Sequence, residues 1–387
     1  MKKTVSIFGA TGSVGRQALD IISRDPDAFD VDTLTAESNV QALAEAAIAV
    51  SAKHCVISNP EKEEALIDAL KGSSAVVQAG RDALCEAAKQ SVDISVQAIV
   101  GFAGVAPSLH AAQSCKTLAL ANKESLVCAG DILKANCASS GCSLIPLDSE
   151  HSAIHQCIKA DPKNLSRIVL TASGGPFLDL SLSELEDVTV EQASTHPNWD
   201  MGQRITIDSA SMFNKAMEVI EAQVLFDLEP EQIEVVVHPQ SILHSAVVMK
   251  DEAIIAHMGA TDMRIPIAYA LYHPQRRGID GSKFDLTQMA QLSFQTPDET
   301  RFPALGLARQ TMRLSGQAGL VLNAAKEVGL DHFIDGKIKF TEMAEGVAHS
   351  LEVYAKSGAN SSDTLDGLIA MNDDYRQITQ TFFERER

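Results

Sequence analysis

Residues 4–15 read Thr4-Val5-Ser6-Ile7-Phe8-Gly9-Ala10-Thr11-Gly12-Ser13-Val14-Gly15, and this stretch decides the fold of the N-terminal part of the chain. A β-rich run leads directly into a glycine-rich loop and then into a helical pattern. Glycines at such a place let the backbone turn sharply and approach a pyrophosphate at the positive end of the helix. The stretch predicts a dinucleotide-binding unit, with a tight structural turn as the alternative.

The same alternation of β-rich runs and helical patterns continues to about residue 147. The runs are 5–8, 31–36, 55–58, 75–79, 94–100, 117–121 and 143–147. This rhythm is typical of a doubly wound parallel sheet with helices on both faces. We therefore predict a fold of class α/β, with a Rossmann-like domain over residues 1–147.

The pattern changes after Asp148, and three further segments follow. Strand-like runs at 167–171, 234–238, 245–249 and 253–258 predict a central α+β domain over 148–272, which contains a lid loop at 173–203. A proline- and glycine-containing stretch at 273–303 reads as a linker. Helical patterns then predominate, which predicts a helical domain over 304–387.

Composition and charge exclude several classes of protein. The chain has 387 residues, of which 45% are hydrophobic and 21% charged, and its net charge is −19. Such an acidic chain does not suit a nucleic-acid or anionic membrane surface. No apolar run approaches the roughly 20 residues of a membrane span. The seven cysteines form no CxxC pair, so we expect reduced thiols in a cytoplasmic protein.

Two carboxylates follow the last β-run of the N-terminal part. Asp148 and Glu150 would point to the same side of an extended segment, where they could share one cation. A solvated acidic turn explains the spacing equally well. Carboxylates prefer Mg²⁺ or Mn²⁺ to softer metals.

A polar face on the helix predicted at 211–226 offers further ligands. Ser211, Asn214, Lys215 and Glu218 fall within one arc, opposite an apolar stripe. Such a set could hold a phosphate at one end and a metal at the other. A solvated helix face would look the same. Among the histidines, His196 and His244 remain open as functional candidates.

The predicted lid loop at 173–203 could close over a ligand. Gly174 and Gly175 end one strand-like run, and Trp199, the only tryptophan of the chain, lies near the far end of the loop. A mobile lid could carry Trp199 over a ligand and expel water. Anchoring of the loop in the core by Trp199 is the alternative.

The residues after the second β-run bear on the choice of cofactor. Glu37 could accept from the ribose hydroxyls of NAD, whereas Ser38 and Asn39 could donate to the extra phosphate of NADP. Spacing alone leaves both nicotinamides open.

Several motifs, in their order, resemble one family across essentially the whole chain. They are Gly9–Gly15, 119–125, 147–151, 173–177, His196-Pro197-Asn198-Trp199 and 214–218. The chain is similar to the 1-deoxy-D-xylulose 5-phosphate reductoisomerase family. The resemblance implies a homodimeric enzyme that uses NADPH and a divalent metal (Mg²⁺, Mn²⁺ or Co²⁺). It implies conversion of 1-deoxy-D-xylulose 5-phosphate to 2-C-methyl-D-erythritol 4-phosphate in non-mevalonate isoprenoid biosynthesis.

The resemblance also implies roles for individual residues. The metal ligands would be Asp148, Glu150 and Glu218, which with Lys123 would be the catalytic residues. The substrate would contact Lys123, Ser149, Glu150, Ser173, His196, Trp199, Ser209, Asn214, Lys215 and Glu218. The cofactor would contact Thr11, Gly12, Ser13, Val14, Asn122, Glu124 and Gly202. Trp199, Met201 and Met263 would pack around the lid and pocket.

One position departs from the family pattern. Glu37 stands where the family commonly has glycine, while Ser38 and Asn39 match the pattern that binds the 2′-phosphate. We therefore predict NADPH, with Glu37 among the residues beside the cofactor and pointing outward.

Parts of this sequence are also compatible with two other classes of function. Semialdehyde dehydrogenases have similar glycine-rich loops, and Cys128 or Cys137 would then be an essential nucleophile. A non-catalytic protein that senses the dinucleotide would bind the cofactor but would have no use for the three carboxylates.

Overall fold

The computed structural model describes residues 2–199, 201–281, 283–288, 291–357 and 362–385. Asp200 in the predicted lid lies outside the described residues. So do residues 282, 289 and 290 of the predicted linker, and 358–361, 386 and 387 of the predicted helical domain. The chain divides into two compact units. The first comprises Met1–Ser125, Asp131–Ser152 and Asp262–Ser282, and the second comprises Leu126–Gly130, Ala153–Thr261 and Lys283–Arg387.

The helices and strands follow one another in three stretches. The N-terminal stretch contains β1 (Lys3–Phe8), α1 (Ser13–Arg24), β2 (Phe29–Ala36), α2 (Val40–Val50), β3 (His54–Ile57), α3 (Glu63–Ala69), β4 (Val76–Ala79), α4 (Arg81–Ala88), β5 (Ile94–Gln97), α5 (Val105–Ser114), β6 (Thr117–Leu120), α6 (Glu124–Ser140), β7 (Ser143–Pro146) and α7 (Ser149–Ile158). The central stretch contains β8 (Leu165–Ala172), α8 (Leu182–Leu185), α9 (Val190–Ala193), α10 (Gln203–Ala210), α11 (Phe213–Phe226), β9 (Ile233–Val237), β10 (Leu243–Met249), β11 (Ile254–Met258) and α12 (Arg264–Tyr272). The C-terminal stretch contains α13 (Ala304–Leu314), α14 (Ala318–Ile334), α15 (Met343–Ser357) and α16 (Leu365–Arg385).

The first unit is built on a parallel sheet with the strand order β4-β3-β2-β1-β5-β6-β7. Val5 and Ile7 of β1 are fully buried, as expected for a central strand covered on both faces. The order reverses between β1 and β5, which start the two halves of the sheet. Ligands of open α/β sheets bind at such a reversal, beyond the carboxyl ends of the strands. The predicted doubly wound α/β fold is confirmed.

Helix α12 returns the chain to the first unit. Ile267 and Leu271 are fully buried in the hydrophobic core of that unit. The Lys3 ammonium donates to the carbonyl oxygens of Leu271 and His273 at 3.0 and 3.2 Å. Residues 262–281, which were predicted to lie partly in the central domain and partly in the linker, therefore belong with the N-terminal residues. The four-part domain division itself stays a prediction.

The second unit contains a four-stranded sheet with the order β11-β10-β8-β9. β8 and β9 are parallel, whereas β10 runs antiparallel to both β8 and β11, with Val247 opposite Ile168 and Ile255. This mixed sheet agrees with the α+β character predicted for the central stretch.

The C-terminal helices pack around α14. Leu320, Val321 and Leu322 are successive residues of this helix and are all fully buried, so it is covered on every side. Helices α13, α15 and α16 contact it. In the part of the chain that the structure describes, no helix is both long enough and apolar enough to cross a membrane.

Candidate active site

The glycine-rich loop between β1 and α1 has the geometry of a site for an anionic group. Gly9 has a φ of +87°, and a Cβ there would lie 2.6 Å from the Ala98 oxygen. A Cβ on Gly15 would lie 2.3 Å from the Gly9 oxygen. Gly12 is the N-cap residue of α1 and has no side chain to cap the helix, so no capping side chain occupies the first N–H groups of α1. Such amides at the positive end of a helix attract phosphate oxygens.

The residues after β2 lie at the surface. Glu37, Ser38 and Asn39 are all exposed. Asn39 Oδ1 accepts from the backbone N–H of Ala42 at 3.1 Å and so caps helix α2. This capping role was not predicted from the sequence. Contact of the three side chains with a cofactor stays a prediction.

Asn122 holds together the loops that follow β5 and β6. Its side-chain NH₂ donates to the carbonyl oxygens of Ile99 and Gly101 at 2.8 and 3.0 Å, and to Glu124 Oε2 at 2.7 Å. Its Oδ1 accepts from the N–H and hydroxyl of Ser125. Asn122 is 2% exposed, so these bonds form in a low-dielectric surrounding where they strongly fix the loops. The cofactor contacts predicted for Asn122 and Glu124 stay predictions.

A lysine and two carboxylates meet beyond the carboxyl ends of β6 and β7. Lys123 Nζ lies 2.6 Å from Asp148 Oδ2, and both side chains are largely buried. A carboxylate oxygen of Asp148 lies within 4.8 Å of one of Glu150. The Ser149 hydroxyl donates to Glu150 Oε2. The predicted convergence of Asp148 and Glu150 is therefore present within the first unit.

The extended conformation predicted for the segment from Asp148 to Glu150 was wrong. Glu150 lies in the first turn of helix α7, and the Asp148 carbonyl oxygen accepts from the N–H of Ser152 at 2.8 Å. The start of a helix, rather than strand alternation, brings the two side chains together. His151 was missed, although it is fully buried and has a ring nitrogen within 4.8 Å of an Asp148 oxygen. Its place three residues after an aspartate was the available signal.

The polar face of α11 is buried rather than solvated. Lys215 is 3% exposed and Glu218 is 1% exposed. Glu218 accepts from the Asn214 side-chain amide through Oε1 and from the Lys215 ammonium through Oε2. Charged groups are kept in such surroundings only when they are paired. This cluster belongs to the second unit, so the approach of Glu218 to Asp148 and Glu150 stays a prediction.

Ser173 and His196 form a hydrogen-bonded pair in the second unit. His196 Nδ1 accepts from the backbone N–H groups of Asn198 and Trp199 at 3.1 and 3.0 Å. Nε2 therefore carries the ring proton and donates to Ser173 Oγ at 3.0 Å. Burial lowers the pKa of His196, which favours this neutral form. Since Ser173 Oγ also accepts from the N–H of Gly175 at 3.2 Å, its own proton is directed elsewhere.

The two glycines of the predicted lid are required by close packing. Gly174 and Gly175 have φ values of +85° and +67°. A Cβ on Gly175 would lie 3.0 Å from the Ser209 oxygen at the end of α10, so the glycine brings Ser209 next to the Ser173 loop. Trp199 is half-buried, with its ring centroid 6.3 Å from that of His244. Movement of the lid stays a prediction.

Three of the remaining predicted residues lie just before helices, and the fourth, His244, lies in strand β10. Gly202 precedes α10 and is exposed, and Met201 beside it is half-buried. Met263 precedes α12 and packs against the core of the first unit. His244 is 7% exposed, and its Nε2 lies 3.2 Å from the Ala260 oxygen. Burial, together with neighbouring His257, lowers the pKa of His244 to about 4.

Three family models match the chain along most of its length. The model described as 1-deoxy-D-xylulose 5-phosphate reductoisomerase matches residues 5–130, and the model of its C-terminal domain matches residues 144–226. A further model, described as the DXP reductoisomerase C-terminal domain, matches residues 258–378. Asp148, Glu150 and Glu218 thus fall within one matched stretch.

Curated relatives and solved structures agree with these matches. The 1-deoxy-D-xylulose 5-phosphate reductoisomerase of Ruegeria pomeroyi is 51% identical over 88% of this chain and 87% of its own length. The structure of the Zymomonas mobilis enzyme in complex with NADPH is 42% identical, with a TM-score of 0.93 over 99% of this chain and 100% of that one. A DOX-P reductoisomerase in complex with NADPH, fosmidomycin and magnesium is 37% identical, with a TM-score of 0.95 over 99% and 98%.

Proposed function

The chain belongs to the 1-deoxy-D-xylulose 5-phosphate reductoisomerase family, and we propose that its buried charged clusters serve that one reaction. The enzyme rearranges and reduces 1-deoxy-D-xylulose 5-phosphate to 2-C-methyl-D-erythritol 4-phosphate, with NADPH as hydride donor and a divalent cation as cofactor. The observation that carries this assignment is the burial of the Lys215–Glu218 ion pair, which places an ammonium suited to a phosphate and a carboxylate suited to a cation in the interior of the second unit.

Asp148, Glu150 and Glu218 are the residues that we assign to the cation. All three offer carboxylate oxygens, the donors that Mg²⁺ prefers, and the solved relatives with magnesium support this choice of metal. When bound, a divalent cation polarises the substrate ketone and lowers the pKa of the adjacent hydroxyl. Use of Mn²⁺ or Co²⁺ is part of the proposal.

Lys123 orients the Asp148 carboxylate in the first unit. Its ammonium group is held at 2.6 Å from Asp148, beyond the end of β6. From there it is placed to orient a substrate hydroxyl or to assist the movement of a proton. Ser149, through its bond to Glu150, fixes the second carboxylate and offers a contact to the substrate.

The second unit holds the substrate phosphate. Ser173 accepts two hydrogen bonds, so its hydroxyl proton is free to point at a phosphate oxygen. Lys215 supplies the positive charge that an anionic ligand requires in a chain of net charge −19. Asn214, Ser209 and His196 complete this group of donors and positioning residues. Trp199 and Met201 exclude water from the substrate when the lid closes.

The loop after β1 binds the pyrophosphate of NADPH. Ser13 and Val14 present backbone N–H groups at the start of α1, and Thr11 and Gly12 line the loop that leads into the helix. Ser38 and Asn39 contact the 2′-phosphate, and the exposed Glu37 points to solvent. Gly202, Asn122 and Glu124 complete the cofactor site together with Met263 of the pocket wall. The relative solved with NADPH supports this choice of nicotinamide.

Membership in the reductoisomerase family argues against a semialdehyde dehydrogenase with a cysteine nucleophile. The burial of the two candidate cysteines agrees with this. Cys128 is 3% exposed and Cys137 is 7% exposed. A hydrogen bond to Cys142 and burial raise the pKa of Cys137, so it is not an activated nucleophile. We further propose that the enzyme is a cytoplasmic homodimer, which size-exclusion chromatography with light scattering of the purified protein would test.

The assignment is tested by following NADPH consumption with 1-deoxy-D-xylulose 5-phosphate, with and without a chelator, and again with NADH. Wild type should require both metal and NADPH. Glu218→Gln should abolish turnover yet leave NADPH affinity nearly intact, because it removes one anionic ligand and preserves shape. Glu231→Gln, which alters an exposed carboxylate, is the matched control. Full turnover of Glu218→Gln at low metal concentration would refute the assignment.

A further inference from the structure

Three cysteines lie together at the amino-terminal edge of the first sheet, away from the carboxyl ends that carry the site. Cys115 follows α5, Cys142 directly precedes β7, and Cys137 is in the last turn of α6. The Sγ atoms of Cys115 and Cys142 are 3.5 Å apart. Strands β6 and β7 hold this arrangement, because Thr117 pairs with Ser143 just beyond the two cysteines.

The sulfur of Cys142 is surrounded by hydrogen-bond donors. The thiols of Cys115 and Cys137 and the backbone N–H of Leu118 all bond to it. Donors of this kind stabilise a thiolate relative to a thiol. They hold the pKa of Cys142 well below its usual range, while the same interactions raise the pKa values of Cys115 and Cys137.

The cluster lies just beneath the surface. Cys115, Cys137 and Cys142 are 4%, 7% and 8% exposed, and the neighbouring residues Lys116, Gly141 and Ser143 are exposed. Access of hydrogen peroxide to Cys142 from this surface is part of the proposal that follows.

The other thiols lack these features. Cys55 is fully buried, and burial raises its pKa to about 11. Burial likewise raises the pKa of Cys157. Cys85 is half-buried, but burial and neighbouring Asp82 raise its pKa.

We propose that Cys142 is a peroxide-reactive thiol and that Cys115 is its partner in a reversible disulfide. The Cys142 thiolate attacks one peroxide oxygen, so that an S–O bond forms, the O–O bond breaks, and the departing hydroxide takes up a proton to become water. The Cys115 sulfur then attacks Cys142, an S–S bond forms, and the S–O bond breaks with release of a second water. The two sulfurs lose two electrons and peroxide gains them. A dithiol reductant reverses the change.

Oxidation should affect stability more than turnover. The disulfide would join the starting ends of β6 and β7, whereas Lys123 and Asp148 follow their far ends. Each strand has four residues, so the two ends are separated by about 13 Å. We expect kcat within twofold of the reduced enzyme and a higher unfolding temperature, because the cross-link restricts the unfolded chain.

The experiment treats the full-length enzyme with a small excess of hydrogen peroxide and identifies the products by peptide mass spectrometry. Wild type should lose two of its seven thiols and yield a Cys115–Cys142 cross-linked peptide that dithiothreitol removes. Cys115→Ser should instead accumulate a sulfenic acid on Cys142, trapped by dimedone. Cys137→Ala should slow oxidation by roughly tenfold, because it removes one donor to the thiolate.

Cys157→Ser is the matched control and should react like wild type. Thermal melting of each reduced variant shows that it is folded. An unmodified Cys142 under these conditions would overturn the proposal. Oxidation of Cys85 before Cys142, or a disulfide between Cys137 and Cys142 in wild type, would also overturn it.

Discussion

Replacement of Lys326 by methionine should destabilise the second unit strongly. Lys326 lies on α14, and its Nζ is 2.8 Å from Asp208 Oδ2 on α10. The two side chains are 6% and 12% exposed, so solvent screens the pair only weakly. Methionine fills the volume of the lysine stem but leaves the Asp208 carboxylate buried without its ammonium partner. Removal of one partner from a buried ion pair costs about 3–5 kcal/mol.

An exposed pair on the same helices provides the control. Arg204 of α10 lies 2.5 Å from Asp331 of α14, but their side chains are 43% and 42% exposed. Exposed pairs contribute at most about 1 kcal/mol, so Arg204→Met should change the free energy of unfolding far less. The double variant Lys326→Met/Asp208→Asn should recover much of the loss, because it removes the buried charge.

Urea unfolding followed by tryptophan fluorescence measures this difference. Trp199 is the only tryptophan and belongs to the second unit, so its emission reports on the unit that contains the ion pair. A loss of 3–5 kcal/mol corresponds to a midpoint shift on the order of 1–2 M urea. Equal midpoints for Lys326→Met and Arg204→Met would show that burial does not determine the contribution of these pairs.

Three further perturbations test the site and its surroundings. Lys215→Ala should raise KM for the phosphate substrate by about 10- to 100-fold, because a charge-assisted hydrogen bond is lost; an equal loss with a phosphate-free analogue in the NADPH assay would contradict this role. Gly15→Ala should abolish NADPH binding measured by calorimetry, since its Cβ would lie 2.3 Å from the Gly9 oxygen, whereas Gly278→Ala, where a Cβ would meet no atom within 4 Å, should bind normally. His244 has a pKa of about 4 in the folded chain against an ordinary 6.5, so the stability that its neutral ring contributes is complete above pH 6.5 and falls by about 3 kcal/mol as the pH drops to 4. His244→Gln should lose that much less between pH 7 and pH 4 in urea titrations, and an unchanged pH dependence would exclude His244 as the cause.

The sequence predicted the parallel sheet because its strands are short apolar runs separated by helical patterns. Helix α12 was not predicted as part of the first unit, since residues from Pro266 to Tyr272 are all buried and show no amphipathic period. Periodicity detects an element with one buried face. It contains no signal for an element that is covered on all sides by residues distant in sequence.

The site was predictable in its residue types but not in its surroundings. The spacing of Asn214, Lys215 and Glu218 indicated one helix face, yet a solvated face has the same spacing. Only the packing of other elements over α11 shows that this face is buried. Likewise, no pattern in the sequence specifies that two backbone N–H groups fix the tautomer of His196, since that depends on how the loop folds back.

The charge balance of the Lys215–Glu218 pair links the proposed metal binding to the proposed phosphate binding, because the charge state of Glu218 affects both. Lys215 and Glu218 are paired and buried, so together they are neutral and keep each other stable in the interior. A neutral pair has little attraction for a phosphate dianion. Once the Glu218 charge is balanced by another cation, the Lys215 ammonium is available to the phosphate without the carboxylate remaining uncompensated. Glu218→Gln achieves the same balance by removing the charge, so this variant should retain phosphate-bearing ligands even though it cannot complete the reaction.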